Sequence, residues 1–115
     1  METKTYYLTL DLQNDVHLIE MYKKYHEPGN VWPEIIAGIK ETGVKDMEIY
    51  LVGNRLFMSL TTDNDFNWEK KVLMDANNPK IQEWEQLMWR FQKPLAFATG
   101  EKWVLMERVF KLSEH

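Results

Sequence analysis

Two strand-like runs joined by Gly53-Asn54 constrain this chain more than any other feature. Met47-Glu48-Ile49-Tyr50-Leu51-Val52 and Arg55 to Thr61 are both rich in β-branched, aromatic and long apolar residues. A two-residue link of glycine and asparagine between such runs is a hairpin signal. The link also sets the register, because Val52 then pairs with Arg55. Leu51/Leu56, Ile49/Met58 and Met47/Leu60 fall on one side of the sheet, and Tyr50/Phe57 and Glu48/Ser59 on the other. The first side is wholly apolar and is expected to lie under helices. The second is too aromatic for bare solvent and too polar for an interior core.

The flanking segments extend this unit on both sides. Tyr6-Tyr7-Leu8-Thr9-Leu10 reads as a first strand. Asp15 is a good N-cap for a helix whose face is Leu18, Met21, Tyr22 and Tyr25, stopped near Pro28-Gly29-Asn30. Pro33 opens a second helix with Ile35, Ile36 and Ile39 on its apolar stripe and Gly43 as its C′ residue. After the hairpin, Asp63-Asn64-Asp65 offers an N-cap before a helix over Phe66 to Met74. Pro79 opens a stronger helix with Ile81, Trp84, Met88 and Phe91 in helical register, closed by Pro94. Trp103 to Leu112 is predicted to be the last strand. The order is the βαββαβ plan of an α+β, ferredoxin-like domain over residues 1–115, with helices on one face of a four-stranded antiparallel sheet. The second face, with Tyr50 and Phe57, is expected to meet a second copy of the chain, sheet against sheet.

Composition removes several functions. The chain has 14 Lys+Arg and 18 Asp+Glu, a net charge of −4. That balance argues against a grip on nucleic acid or on an anionic membrane surface. With no cysteine, thiolate nucleophiles, iron–sulfur clusters and Cys-type zinc sites are excluded. The longest apolar runs are far shorter than a spanning helix, and the first residues lack the features of a signal peptide. The expectation is a cytoplasmic protein.

Few groups remain that could carry chemistry. His17 opens a helix beside Asp15 and reads as a solvated surface residue, and His115 is the last residue. His26 ends its helix four residues after Tyr22, on the same face and just before Pro28-Gly29. That position suits either a partly buried structural histidine or a proton-transfer site. No pair of histidines has ligand spacing, no glycine loop suits phosphate, and Asp63, Asp65 and Glu69 are better explained by a helix start, so neither metal nor cofactor is expected. The five tryptophans exceed what one small core needs. Trp84 with Glu85 on one helix, and Tyr22 with His26 on another, would suit a sugar, because indole stacks on its C–H faces while acids and phenols bind its hydroxyls. Trp84 at helical spacing with Met88 and Phe91 equally suits the core.

Tyr22-x-x-x-His26, then Val31-Trp32-Pro33-Glu34-Ile35, Glu48-Ile49-Tyr50-Leu51 and Gln82-Glu83-Trp84 together resemble the L-rhamnose mutarotase family over essentially the whole chain. The resemblance implies a dimeric α/β barrel of ferredoxin-like subunits. It implies interconversion of the α and β anomers of a 6-deoxy-L-hexose, a small monosaccharide, without cofactor or metal. It further implies that His26 is the catalytic proton donor and that Tyr22 and Trp84 contact the sugar. Three departures stand out. Met47 replaces a sugar-contact tyrosine, Glu85 replaces a second tryptophan, and the loop through Pro28-Gly29-Asn30 is longer. These bear on the substrate, for which L-rhamnose and L-fucose are both candidates. In this reading His26 protonates the ring oxygen, Tyr22 orients or relays the proton, and Glu85 holds hydroxyls or acts as the complementary base. Dimeric ferredoxin-like barrels also include cofactor-independent oxygenases, haem-degrading enzymes and plain binding modules, which are the alternative functions.

Overall fold

The computed structural model describes residues 2–115. Its order is β1 (Thr3–Leu12), α1 (Val16–Tyr25), α2 (Pro33–Glu41), β2 (Val44–Val52), β3 (Arg55–Asp63), α3 (Trp68–Ala76), α4 (Pro79–Met88), β4 (Gln92–Lys93) and β5 (Val104–Leu105), with a final 3₁₀ turn over Leu112–Glu114. The antiparallel sheet runs β2-β3-β1-β4, and β5 also pairs with β1. This is the ferredoxin-like order, with its last strand divided in two.

The hairpin has the register that its turn requires. Val52 pairs with Arg55, Leu51 with Leu56, Ile49 with Met58 and Met47 with Leu60. Gly53 sits at φ 59°, a left-handed conformation that glycine adopts without a Cβ penalty. Asn54 ties the turn to β1: its carbonyl accepts from Leu12 N at 2.7 Å, and its side-chain amide donates to Leu12 O at 3.0 Å. Leu8, Leu10 and Leu12 of β1 and Leu56, Met58 and Leu60 of β3 are all buried on the inner face. On the outer face Tyr7, Phe57 and Tyr50 form a row across β1, β3 and β2, with ring centroids 5.7 and 6.2 Å apart.

Helix starts follow local capping chemistry. Asp15 accepts from Leu18 N at 3.0 Å, and Pro33 begins α2. Asn78 caps α4 by accepting from both Lys80 N and Ile81 N. Gly43, at φ 95°, follows the end of α2 as its C′ residue. The start of α3 differs from expectation. Its cap is Asn67, which accepts from Lys70 N at 2.9 Å, and not the Asp63-Asn64-Asp65 group. Asp63 is still paired to Thr3 in the sheet and turns its carboxylate to Asp65 N. Phe66 is spent on the turn, where it packs on Tyr6 and Trp68.

The last strand is the second correction. Pairing with β1 begins earlier than Trp103, at Gln92 and Lys93, which face Leu12 and Asp11. Residues 94–103 then leave the sheet, and pairing resumes only for Val104 and Leu105, opposite Thr9 and Leu8. One further bond, Met106 N to Tyr7 O at 2.7 Å, ends the ladder. Strand propensity holds a segment in a sheet only where its side chains also gain a packed face. Beyond Met106 they gain none: Val109 is 92% exposed, and Phe110 and Leu112 are exposed too. The α4 helix likewise ends at Met88. Phe91 stays fully buried one turn later, where Phe91 N donates to Met88 O at 2.9 Å.

Two buried clusters lie between the sheet and the helices. One gathers Leu12, Tyr22, Ile35, Leu56, Trp84 and Phe91 near the β1–β4 end. The other gathers Leu8, Val44, Met58 and Leu60. Ile39, Ile49 and Trp103 touch both. Among the described residues no helix is long and apolar enough to cross a membrane. Asn78→Ala removes a cap shared by two amides and is expected to cost about 1 kcal/mol of stability, read as a lower urea midpoint with an unchanged m-value.

Candidate active site

The two clusters do not close on each other. A cavity of about 420 Å³ lies between the sheet and the helices. Its sheet side is apolar, with Leu8, Met47, Ile49, Met58 and Leu60. Polar groups enter it from the helices and from the segments that follow them.

Tyr22, His26, Trp84 and Glu85 all line this cavity. They reach it from α1 and α4; helical spacing places His26 beside Tyr22, while Trp84 and Glu85 are chain neighbours on α4. Tyr22 and His26 are one turn apart at the C-terminal end of α1, with ring centroids 4.1 Å apart. Trp84 meets His26 edge-on at 5.7 Å and Trp32 edge-on at 5.1 Å. Trp84 is therefore both a buried core residue and a cavity wall. Its fixed ring orientation comes from Trp32, the residue before the proline that starts α2. His17 is exposed on α1. Met47 lines the cavity with a thioether side chain.

The protonation states follow from these contacts. His26 Nδ1 lies 2.6 Å from Tyr22 O. A carbonyl can only accept, so Nδ1 carries the hydrogen and neutral imidazole keeps its lone pair on Nε2. Burial lowers the His26 pKa below the usual histidine value, and the bond to Tyr22 O opposes this in part. Burial raises the Tyr22 pKa, so its phenol stays protonated; Gln92 opposes this and the charge of Glu85 adds to it. Glu85 is not alone: Lys102 Nζ lies 2.6 Å from its Oε2 and 4.5 Å from the centroid of the Trp89 ring.

The structure adds residues that sequence reasoning did not single out. Lys102 and Trp103 arrive from the excursion between β4 and β5, and Gln92 is in β4. No periodic pattern links them to α4, so local sequence carried no signal for them. Lys71 and Asp75 are an i,i+4 pair on α3, with Nζ–Oδ2 3.2 Å, and that spacing was legible. Among the described residues no group of three or more His, Asp or Glu is placed to hold a metal ion.

The family model described as L-rhamnose mutarotase matches residues 5–112. The L-fucose mutarotase of Xanthomonas campestris pv. campestris is 46% identical over 106 residues, covering 91% of this chain and 85% of that protein. The L-rhamnose mutarotase of Oceanobacillus iheyensis is 30% identical over 76 residues, 64% of each chain. The crystal structure of an L-rhamnose mutarotase from Formosa agariphila superposes with a TM-score of 0.68 at 21% identity, over 95% of this chain and 98% of that one. The fold, found from the strand order alone, is therefore shared with a solved mutarotase. The chain belongs to the L-rhamnose mutarotase family, isomerases that interchange the anomers of a sugar.

Proposed function

We propose that this chain interconverts the α and β anomers of a 6-deoxy-L-hexose, with L-fucose as the favoured substrate. The single observation that carries the chemistry is the tautomer of His26. Its Nδ1–H is committed to Tyr22 O, which leaves Nε2 as a proton acceptor at the wall of a cavity of monosaccharide size. The preference for L-fucose rests on the 46% identity to a protein of that name. Family membership sets the oxygenase and haem readings aside.

Mutarotation needs two proton movements. The anomeric hydroxyl loses its proton as the C1–O5 bond breaks and C1 becomes an aldehyde, while O5 gains a proton. Rotation about C1–C2 presents the other face of the aldehyde, and the reverse transfers close the ring. A neutral His26 takes the anomeric proton at Nε2 and, as imidazolium, returns it at closure. It thus begins as a base rather than as the acid the sequence suggests, because burial favours its neutral form. Tyr22, kept protonated by burial, supplies and recovers the proton at O5. Trp84 lies against the sugar's C–H face. Glu85, neutralised by Lys102, suits a hydroxyl acceptor better than a base. A positioned acid or base contributes roughly 10²–10⁴-fold.

Homodimer formation belongs to the same reading. The outer row of Tyr7, Phe57 and Tyr50 leaves Tyr50 56% exposed, and the tail beyond Met106 carries exposed Val109, Phe110 and Leu112. Together they offer one sheet face and one extended arm to a second copy. Sedimentation equilibrium at micromolar concentration should give twice the chain mass, and Phe57→Asp should shift it toward one. A monomer for the unaltered chain removes the dimer.

His26→Gln should lower anomer exchange of L-fucose, measured by saturation-transfer NMR, by roughly 10²-fold or more; full activity would refute its role. The pH profile tests the same group. A base with a lowered pKa stays neutral below the usual 6.5, so the acid limb of kcat/KM should lie below pH 6.5. Stability moves in the same direction. The unfolded chain takes the proton first as pH falls through 6.5, so the His26 contribution is full above that value and declines below it. An acid limb above pH 6.5 contradicts the assignment.

A further inference from the structure

Among the described residues two ion pairs line the cavity, and they are built differently. Lys71 and Asp75 are an i,i+4 pair within α3, a contact that helical spacing alone provides. Lys102 and Glu85 come from separate segments, with Lys102 Nζ 2.6 Å from Glu85 Oε2. Lys102 lies near the end of the excursion that leaves the sheet after β4, and Glu85 is in the last turn of α4.

Lys102 is held at three points. Besides meeting the carboxylate, its Nζ donates to Glu85 O at 3.4 Å and lies 4.5 Å from the centroid of the Trp89 ring. An indole face attracts a cation through its quadrupole. Trp89 follows Glu85 by one helical turn, and Trp89 N donates to Glu85 O at 3.0 Å. The ring, the carboxylate and the carbonyl that hold Lys102 thus all belong to one end of α4. That helix has no basic residue in its own last turn, and Lys102 supplies the positive charge that a helix C-terminus favours.

The pair is open on one side only. The Lys102 side chain is 12% exposed and that of Glu85 is 43% exposed. A ligand therefore meets the carboxylate, while the ammonium is the covered half. Burial is the main cause of the raised pKa at both Tyr22 and Asp75, and the charge of Glu85 adds to each, with Gln92 opposing at Tyr22 and Lys71 at Asp75. Tyr22 enters from α1 and Asp75 from α3, so the carboxylate stands within electrostatic reach of both walls. Covering an ammonium costs hydration that a single ion pair rarely offsets. The effect of this pair is on where the carboxylate points.

We infer that Lys102 is a positioning residue: by pairing with Glu85 and lying against Trp89, it holds the Glu85 carboxylate as a fixed acceptor for a ring hydroxyl of the sugar. The inference rests on the mutarotase reading for its ligand, a pyranose with free hydroxyls, and Lys102 itself touches neither the sugar nor the reacting atoms. An unfastened glutamate turns freely about several bonds, and freezing them on binding weakens affinity. A carboxylate already fixed loses less, and it accepts from a hydroxyl more strongly than a neutral group does. A sugar without the matching hydroxyl leaves that acceptor unpaired and is rejected.

The test is a double-mutant cycle on the full chain with L-fucose. Calorimetry gives Kd, and NMR exchange gives kcat and KM. Lys102→Met keeps the stem and removes the charge; it should raise Kd and KM about tenfold and leave kcat within about threefold. Glu85→Gln should do the same. The two together should be no worse than Glu85→Gln alone, because Lys102 acts only through Glu85. Lys102→Arg can re-form the pair and lie on Trp89, so KM should return to within about threefold of the unaltered chain. Trp89→Leu strips the ring from Lys102 and leaves both charges. It should raise KM severalfold, but not in the Glu85→Gln background, and it decides the matter if Lys102→Met does not fold. Unchanged Kd and KM with a lowered urea midpoint overturn the inference, because Lys102 is then only structural. The same loss from Lys102→Met with and without Glu85 also overturns it, since Lys102 then acts independently of the carboxylate. A roughly hundredfold loss of kcat in Glu85→Gln at unchanged KM overturns it in favour of proton transfer by Glu85. If the unaltered chain binds L-fucose without speeding exchange, the mutarotase reading fails while the Kd cycle still decides the role of Lys102. No binding of L-fucose or L-rhamnose overturns both.

Discussion

The pairing of β1 with the Gly53-Asn54 hairpin is the constraint on which the rest of the molecule depends. The turn places Val52 against Arg55, and Asn54 binds Leu12 through backbone and side chain at once. Side chains alternate along a strand, so a slip of one residue would exchange the two faces. Leu56, Met58 and Leu60 would leave the core, and Phe57 would enter it. The apolar side of the cavity and the exposed aromatic row are thus two consequences of one register.

Over that sheet α4 packs against both α2 and α3, and the space between the two buried clusters stays open. Strands β1, β2 and β3 supply only apolar walls there, so the polar groups come from the helices, from Gln92 of β4 and from the segment after it. α1 brings Tyr22 and His26, α3 brings Trp68, Lys71 and Asp75, and α4 brings Trp84 and Glu85. Cavity burial then sets protonation states. It lowers the His26 pKa and raises that of Tyr22, so a neutral acceptor and a protonated phenol stand one helical turn apart. Reversible ring opening of a hemiacetal asks for such a pair, one group to take a proton and one to give it.

Much of this was legible from residue order. The hairpin register, the Asp15 cap, the helix start at Pro33, and the helical face of Ile81, Trp84 and Met88 are local properties, set by neighbours within four residues. His26 and Tyr22 were legible as a pair for the same reason; Trp84 and Glu85 are chain neighbours on α4 and share no face. The divided last strand was not. Val104 to Lys111 has strand-like composition throughout, yet only its first residues meet β1. The residues past Met106 find no layer to pack on, and composition cannot report the absence of a neighbour.

The sequence by itself determined the architecture and the Tyr22–His26 pair of the site, because turn chemistry, alternation and helical spacing act over a few residues. Only the tertiary structure decided which distant groups share the cavity. It brought Lys102 to Glu85 across 17 residues and joined Thr42 to Asp75 through Lys71. It placed Trp68 and Asp75 of α3 and Gln92 of β4 on the wall of one cavity. Hydrogen-bond satisfaction and burial are sums over every neighbour in space, and the order of residues along a chain does not contain those neighbours until the chain has folded.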